Sequence, residues 1–263
     1  MMGIGIKGDL IFESDYKWIG NFCEGLAQVC QPVKILFIEI DQKYGFVNTD
    51  GVLKIEPQFD FAGPFSEGLA AVISDKKYGY IDTSGTIVIS PGFDEARSFS
   101  ENMASVRLGD RYGFIDHNGE FVISPKYEQA WSFNTGLARV MIDGKIGFIN
   151  SKDKMEIQPI YEEAFDFQDG VALVKHAGKI GYIDREGNFV IKPQYETGGN
   201  FSSGLAPVKI AGKSGYIDKD GNLKLPNKYD RAYPFENGLA IVVFQNKVMY
   251  INRFGDCISY LNN

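Results

Sequence analysis

The chain has 263 residues, 44% hydrophobic and 23% charged, with 30 Gly and 10 Pro, values that exclude collagen-like, coiled-coil and disordered classes. Its 27 basic and 34 acidic residues leave a net charge of −7 and a pI of about 5.0. That balance argues against nucleic acid or an anionic membrane as a partner, because basic charge supplies most of such affinity, and no run approaches the roughly 18 apolar residues of a membrane span.

The opening Met1-Met2-Gly3-Ile4-Gly5-Ile6-Lys7 has no charged n-region followed by a long apolar core, so no signal peptide is expected. Gly3 to Gly8 spells GxGxxG, but no strand precedes it and no helical pattern follows, so a dinucleotide site is not expected. Three cysteines, Cys23, Cys30 and Cys257, are an odd number in a chain too long to need a disulfide scaffold. The expectation is a cytoplasmic chain with free thiols, the alternative being a cell-surface or secreted one. Two histidines, His117 and His176, and no CxxC leave no metal site or cofactor in view.

A repeat then dominates the chain. Lys43-Tyr44-Gly45-Phe46-Val47-Asn48 returns every 34 residues, beginning at Lys77, Arg111, Lys145, Lys179, Lys213 and Lys247. A second block, Phe65-Ser66-Glu67-Gly68-Leu69-Ala70, returns with its Phe at 99, 133, 167, 201 and 235. Its earlier copy at Phe22 lies 43 residues before Phe65, which places nine extra residues in or around Gln31 to Gln42. The chain reads as one array: residues 1–42 a degenerate repeat with an insertion, 43–246 six full repeats, and 247–263 a half repeat.

Each unit opens with a hairpin. An aromatic and a β-branched residue are followed by Asn or Asp and, three residues later, by Gly51, Gly85, Gly119, Gly187, Gly221 or Gly255. The Asx side chain binds nearby N–H groups and the Gly takes positive φ, so the alternating apolar runs either side pair up. Asp153 occupies that Gly column once, where a strained or altered turn is expected. A connector such as Pro125-Lys126-Tyr127-Glu128 ends the second strand, since Pro lacks a ladder donor. A third strand, as in Leu69 to Ile73, completes the unit.

Three short strands cannot bury enough surface to fold alone, so the units must stack. The expected fold is all-β: tandem 34-residue three-stranded β-hairpin repeats stacked as an open β-solenoid. The alternative is a seven-bladed β-propeller, with Phe22 to Val29 supplying the last unit's missing strand. Propeller blades have four strands and about 40 residues. Residues 3–19 also resemble a spare hairpin that a closed ring leaves over, and both points favour the open array.

The columns Lys-Tyr-Gly-Phe/Tyr-Ile-Asp-x-x-Gly, Pro-x-Tyr-Asp/Glu-x-Ala and Phe-Ser-x-Gly-Leu-Ala-x-Val resemble the bacterial WG-repeat (KWG-repeat) proteins. The resemblance implies an all-β repeat without known catalysis, used as a binding surface. The family's Trp is here Tyr44, Tyr78, Tyr112, Ile146, Ile180, Ser214 and Val248, so a role resting on that Trp does not carry over.

Two sets of residues are candidate binding groups. Lys43, Lys77, Arg111, Lys145, Lys179, Lys213 and Lys247 form a cation ladder able to track an extended anionic partner. The competing reading is charge balance against Asp60, Asp94, Glu128, Glu162, Glu196 and Asp230. Trp131 and Tyr233, with Trp18, are connector aromatics that either stack on sugar rings, anchor a protein or fill gaps between units. The functional expectation is a non-catalytic scaffold binding another protein through an extended β surface. A glycan or cell-envelope binding module using the connector aromatics is the alternative.

Overall fold

The computed structural model describes residues 2–4, 10–13, 16–35 and 38–260. Every regular element among them is a β-strand. The fold is an all-β tandem array of antiparallel sheets, and each full sheet joins the connector and third strand of one 34-residue unit to the hairpin of the next. Contacts group the chain into two units, residues 1–133 and 134–263.

The three expected strands are present, and the connector adds a fourth. In the first unit, Glu95–Ala96, Ala104–Leu108, Arg111–Ile115 and Phe121–Tyr127 lie in that order across one sheet. The two-residue strand pairs Glu95 with Arg107 and Ala96 with Val106, too short a match for periodicity to announce. The hairpin turn is built as its residues require. The Asp116 carboxylate accepts the Asn118 and Glu120 N–H groups, both at 2.9 Å, and Gly119 takes φ 82°. Asp153 adopts φ 62° in an otherwise unaltered turn, with its N–H donating to the Asn150 carbonyl at 3.0 Å. It is therefore strained, since an L side chain disfavours the left-handed region.

The Gly of the Lys-x-Gly column has a different cause. Gly113 does not have positive φ, yet a Cβ there would lie 2.4 Å from the Ile123 carbonyl oxygen and 2.8 Å from the Pro125 nitrogen. Between the pairs Tyr112↔Tyr127 and Phe114↔Ile123, one residue opposes three, so the Pro-containing strand bulges over the glycine. The same pairing recurs around Gly45, Gly79, Gly147, Gly181 and Gly215. In the last sheet Met249 takes the place of Gly, and its strand pairs directly, Met249↔Tyr260 and Tyr250↔Ser259, with no bulge there.

Core residues lie between consecutive sheets. In the first unit Leu26, Phe46, Ile55 and Phe59 pack on Phe65, Ala70, Val72 and Ile81 of the following sheet. The aromatic of one sheet meets the Phe that precedes the third strand of the next, as in Phe46–Phe65 at 4.7 Å and Tyr80–Phe99 at 4.9 Å. In the second unit the matching pairs are Phe148–Phe167, Tyr182–Phe201 and Tyr216–Phe235. A hydroxyl adds direction to this stacking: Ser66 Oγ donates to the Phe99 carbonyl at 2.8 Å, and Ser202 Oγ to that of Phe235 at 2.5 Å. The extra residues near the N-terminus lengthen one hairpin, Leu26–Ile35 against Ile38–Asn48, paired through Gln31↔Lys43 to Ile35↔Ile38. Of the spare hairpin at residues 3–19, Met2–Ile4 pairs with Leu10–Glu13, and the intervening 5–9 lie outside the described residues.

Candidate binding site

The two charge ladders meet each other. Lys77 Nζ lies 2.5 Å from Asp94 and Lys213 Nζ 2.6 Å from Asp230, and Lys43 pairs in the same way with Asp60. Arg111–Glu128 and Lys145–Glu162 are looser, at 3.9 Å. Several of the acids also reach the turn just before the next cation: Asp94 accepts the Gly109 N–H at 2.8 Å, Glu162 that of Gly178 at 3.0 Å and Glu196 that of Gly212 at 3.2 Å. The Lys77 ammonium, with the Gly109 N–H, holds the Asp94 carboxyl below the usual carboxylate range. Lys179 is exposed in its turn, and Lys247 lies over the Tyr260 ring at 5.9 Å. The arrangement clips the connector to the following hairpin and offsets the positive charge of most rungs.

The connector aromatics divide. Tyr233 and Trp18 are exposed, Tyr233 at 46%, whereas Trp131 is half-buried. The histidines are engaged in packing. His117 stacks on the buried Phe99 ring at 4.4 Å with its Nε2 3.2 Å from Glu67, and His176 lies edge-on to Tyr161.

The repeat is broken most deeply beside Tyr233. Where other connectors read Ala96-Arg97, Ala130-Trp131 or Ala164-Phe165, this one reads Gly198-Gly199 after Thr197. The short strand is lost, leaving the single bridge Gly198↔Val208 and a three-stranded sheet of Ala206–Ile210, Lys213–Ile217 and Leu223–Tyr229. The backbone has moved into the space of the missing side chains: a Cβ on Gly198 would lie 2.9 Å from Ile180 Cγ2, and one on Gly199 2.8 Å from Pro207 Cγ. In the same sheet the column filled by Ile146 and Ile180 holds Ser214. Beside these residues lies a recess of about 180 Å³ bounded by Thr197, Gly198, Gly199, Ser214 and Tyr233.

Tyr233 and Pro234 line both this recess and a groove of about 480 Å³. The groove is lined further by Glu236, Asn237, Leu239, Ile241 and Tyr250. In this groove Leu239 is exposed and Tyr250 half-buried, while Leu205 and Tyr216 in the same columns are buried. Both walls are fixed from beneath. The Tyr182 hydroxyl donates to the Gly199 carbonyl and the Tyr216 hydroxyl to the Tyr233 carbonyl, each at 2.8 Å. Ser214 and Thr197 are visible in the sequence as separate departures from the repeat; only the fold brings them to one recess. Among the described residues, no group of three or more His, Cys, Asp or Glu could hold a metal ion. Nor is any helix there long and apolar enough to cross a membrane.

The stacked sheets, with their recurring turn formers and core aromatics, define an all-β tandem-repeat protein. The family described as WG containing repeat matches residues 4–31, 44–78, 78–112, 112–145, 146–179, 180–213 and 215–247, and the chain belongs to it. No curated protein matches the chain. Among solved structures, Kluyveromyces lactis Hsv2 with loop 6CD replaced by a Gly-Ser linker is 9% identical, with TM-score 0.49 over 86% of this chain and 88% of that one. AztD from Citrobacter koseri is 12% identical, with TM-score 0.49 over 97% and 89%. PorZ of Porphyromonas gingivalis is 10% identical, with TM-score 0.38 over 94% and 40%.

Proposed function

We propose that this repeat protein is a non-catalytic scaffold that binds another protein through an extended β surface. The observation that carries the reading is a recurrent apolar pair on the Pro-containing edge strand. Ile87 and Val88, Phe121 and Val122, and Phe189 and Val190 are each 36% to 50% exposed. Single exposed apolar residues are ordinary, but the pairs at 87–88 and 121–122 stand in the same register on consecutive sheets of the first unit and make a band, and such bands mark interaction surfaces. The bulge and Pro in each of these strands oppose simple strand addition, so a partner meets side chains rather than the free ladder edge. The paired charge ladders support a contact led by apolar surface. Three free thiols, Cys23, Cys30 and Cys257, favour the cytoplasm as its setting.

The test is affinity capture from the source lysate with the wild type and with a Val88→Glu/Val122→Glu double variant. The expected result is one stoichiometric protein retained by the wild type and lost by the variant, at unchanged melting temperature. Equal capture by both, or capture by neither, overturns the reading.

A further inference from the structure

We propose that the recess and groove on either side of Tyr233 form a binding site for a neutral oligosaccharide. This goes beyond the scaffold reading and uses different residues from the apolar band.

Four observations converge. The site lies where the sequence departs from its own repeat, at Gly198-Gly199 and Ser214 along the recess, and where Tyr250 in the groove is half-buried although Tyr216 in its column is buried. Tyr233 and Pro234 line both hollows, so a sugar chain with one ring in the recess continues past Tyr233 into the groove. At about 480 Å³ the groove falls within the range of small-ligand sites, about 300–1,000 Å³.

The chemistry alternates in the way a sugar needs. The exposed Tyr233 ring offers an apolar face for stacking, while Thr197 and Ser214 in the recess and Glu236 and Asn237 in the groove offer hydrogen-bonding groups for hydroxyls. Charge then selects among sugars. The two hollows contain one carboxylate, Glu236, and no cation, which disfavours uronic acids and phosphorylated sugars. The recess itself is uncharged, so a basic side chain finds no counter-charge there. Finally, the walls are preorganised, because the Tyr182 and Tyr216 hydroxyls hold the Gly199 and Tyr233 carbonyls from the core.

The experiment is a calorimetric titration of the full chain with cellotriose, chitotriose, maltotriose and trigalacturonate, repeated with Tyr233→Ala, Ser214→Ile and the Val88→Glu/Val122→Glu variant. Ser214→Ile fills the recess with the side chain that neighbouring repeats carry at this column, so it tests the cavity without removing a core group. The expected outcome is saturable binding of at least one neutral trisaccharide, weakened about 10-fold or more in Tyr233→Ala and Ser214→Ile. Trigalacturonate does not bind, and the band variant binds as the wild type does. Failure of all three neutral trisaccharides to saturate at about 10 mM overturns the proposal, being weaker than rings stacked in a formed site require. So does undiminished binding in both site variants, or equal binding of trigalacturonate. Because the band variant is read separately, loss of the protein partner and loss of the sugar are distinguishable.

Discussion

The buried hydroxyl of Tyr216 donates to the carbonyl of Tyr233 at 2.8 Å, tying a core ring of one sheet to the backbone beneath the most exposed aromatic of the next connector. The bond belongs to a recurring set: Tyr80 reaches the Arg97 carbonyl at 2.7 Å and Tyr182 that of Gly199 at 2.8 Å. Phe46, Phe114 and Phe148 occupy the same column, so the ring packs without its hydroxyl. Tyr216→Phe is therefore a clean deletion. It is expected to lower stability by about 1 kcal/mol, read as a lower urea midpoint at unchanged slope, and to weaken any ligand stacked on Tyr233. An unchanged midpoint would show that the carbonyl finds another donor.

The glycines of the repeat do two different jobs, and substitution separates them. A Cβ on Gly181 would lie 2.7 Å from both the Ile191 carbonyl oxygen and the Pro193 nitrogen, backbone atoms that cannot rotate away. Gly204 has φ 78° with nothing within 4 Å of its Cβ position. Gly181→Ala is expected to destabilise by about 3 kcal/mol or more, and Gly204→Ala by about 1 kcal/mol from left-handed strain alone. Equal losses in denaturant melts would remove close approach as the reason for the Gly181 column.

The sequence carries the repeat length, the hairpins and the core columns, because each recurs with a residue type that has one physical use. Phe or Tyr at position 46 and its copies is core; Asx followed by Gly is a turn. It carries the fourth strand poorly, since two residues such as Glu95–Ala96 have no period to read. The bulge over Gly113 is implied by an unvarying Gly, but its cause, the Ile123 carbonyl, comes from the partner strand. The site is harder still: Thr197, Ser214 and Tyr233 come from two connectors and a hairpin, and their nearness is a property of the stack.

Asp153 offers a stabilising change. Its φ of 62° matches the region that glycine supplies in the equivalent turns, where φ is 78° to 87°. Asp153→Gly is expected to raise stability by about 0.5 to 1 kcal/mol, the relieved strain less the entropy of a freer unfolded chain. A lower melting temperature would mean that contacts of the Asp153 carboxylate outweigh the strain.

Acid should dismantle the array at its turns and ladders. Burial opposes ionisation of Asp218, but Lys224 and the Asn222 N–H outweigh it and hold the carboxyl at about 2. Asp82, Asp94, Asp116 and Asp230 are displaced in the same direction by hydrogen bonds from turn N–H groups, Ser84 or lysines. For a carboxyl lowered on folding, the unfolded chain binds more protons between the two pKa values, so stability rises with pH there. The contribution is complete above the unfolded value of about 4 and disappears as pH falls through about 2 for Asp218. Thermal melts from pH 5 to pH 2 should show a steady fall in midpoint. A midpoint flat to pH 2 would show these carboxylates to be unshifted.

The cation ladder provides the sharpest contrast between appearance and role. A row of Lys and Arg at fixed spacing suggests an anion track, yet Lys77 is engaged by Asp94, and Asp94 also accepts the Gly109 N–H. If the pair serves the turn, its members are unequal. Removing Lys77 deletes a half-exposed ion pair, a contact of small net value because solvent screens it and a long side chain must be ordered. Removing Asp94 deletes the same pair and leaves a turn N–H without its acceptor. Asp94→Ala is expected to lower the melting temperature clearly more than Lys77→Ala, and the gap should persist in high salt, where the ion pair is screened and the turn bond is not. Heparin retention measured on the same variants is expected to be negligible throughout. Strong retention lost in Lys77→Ala would restore the ladder as a binding track.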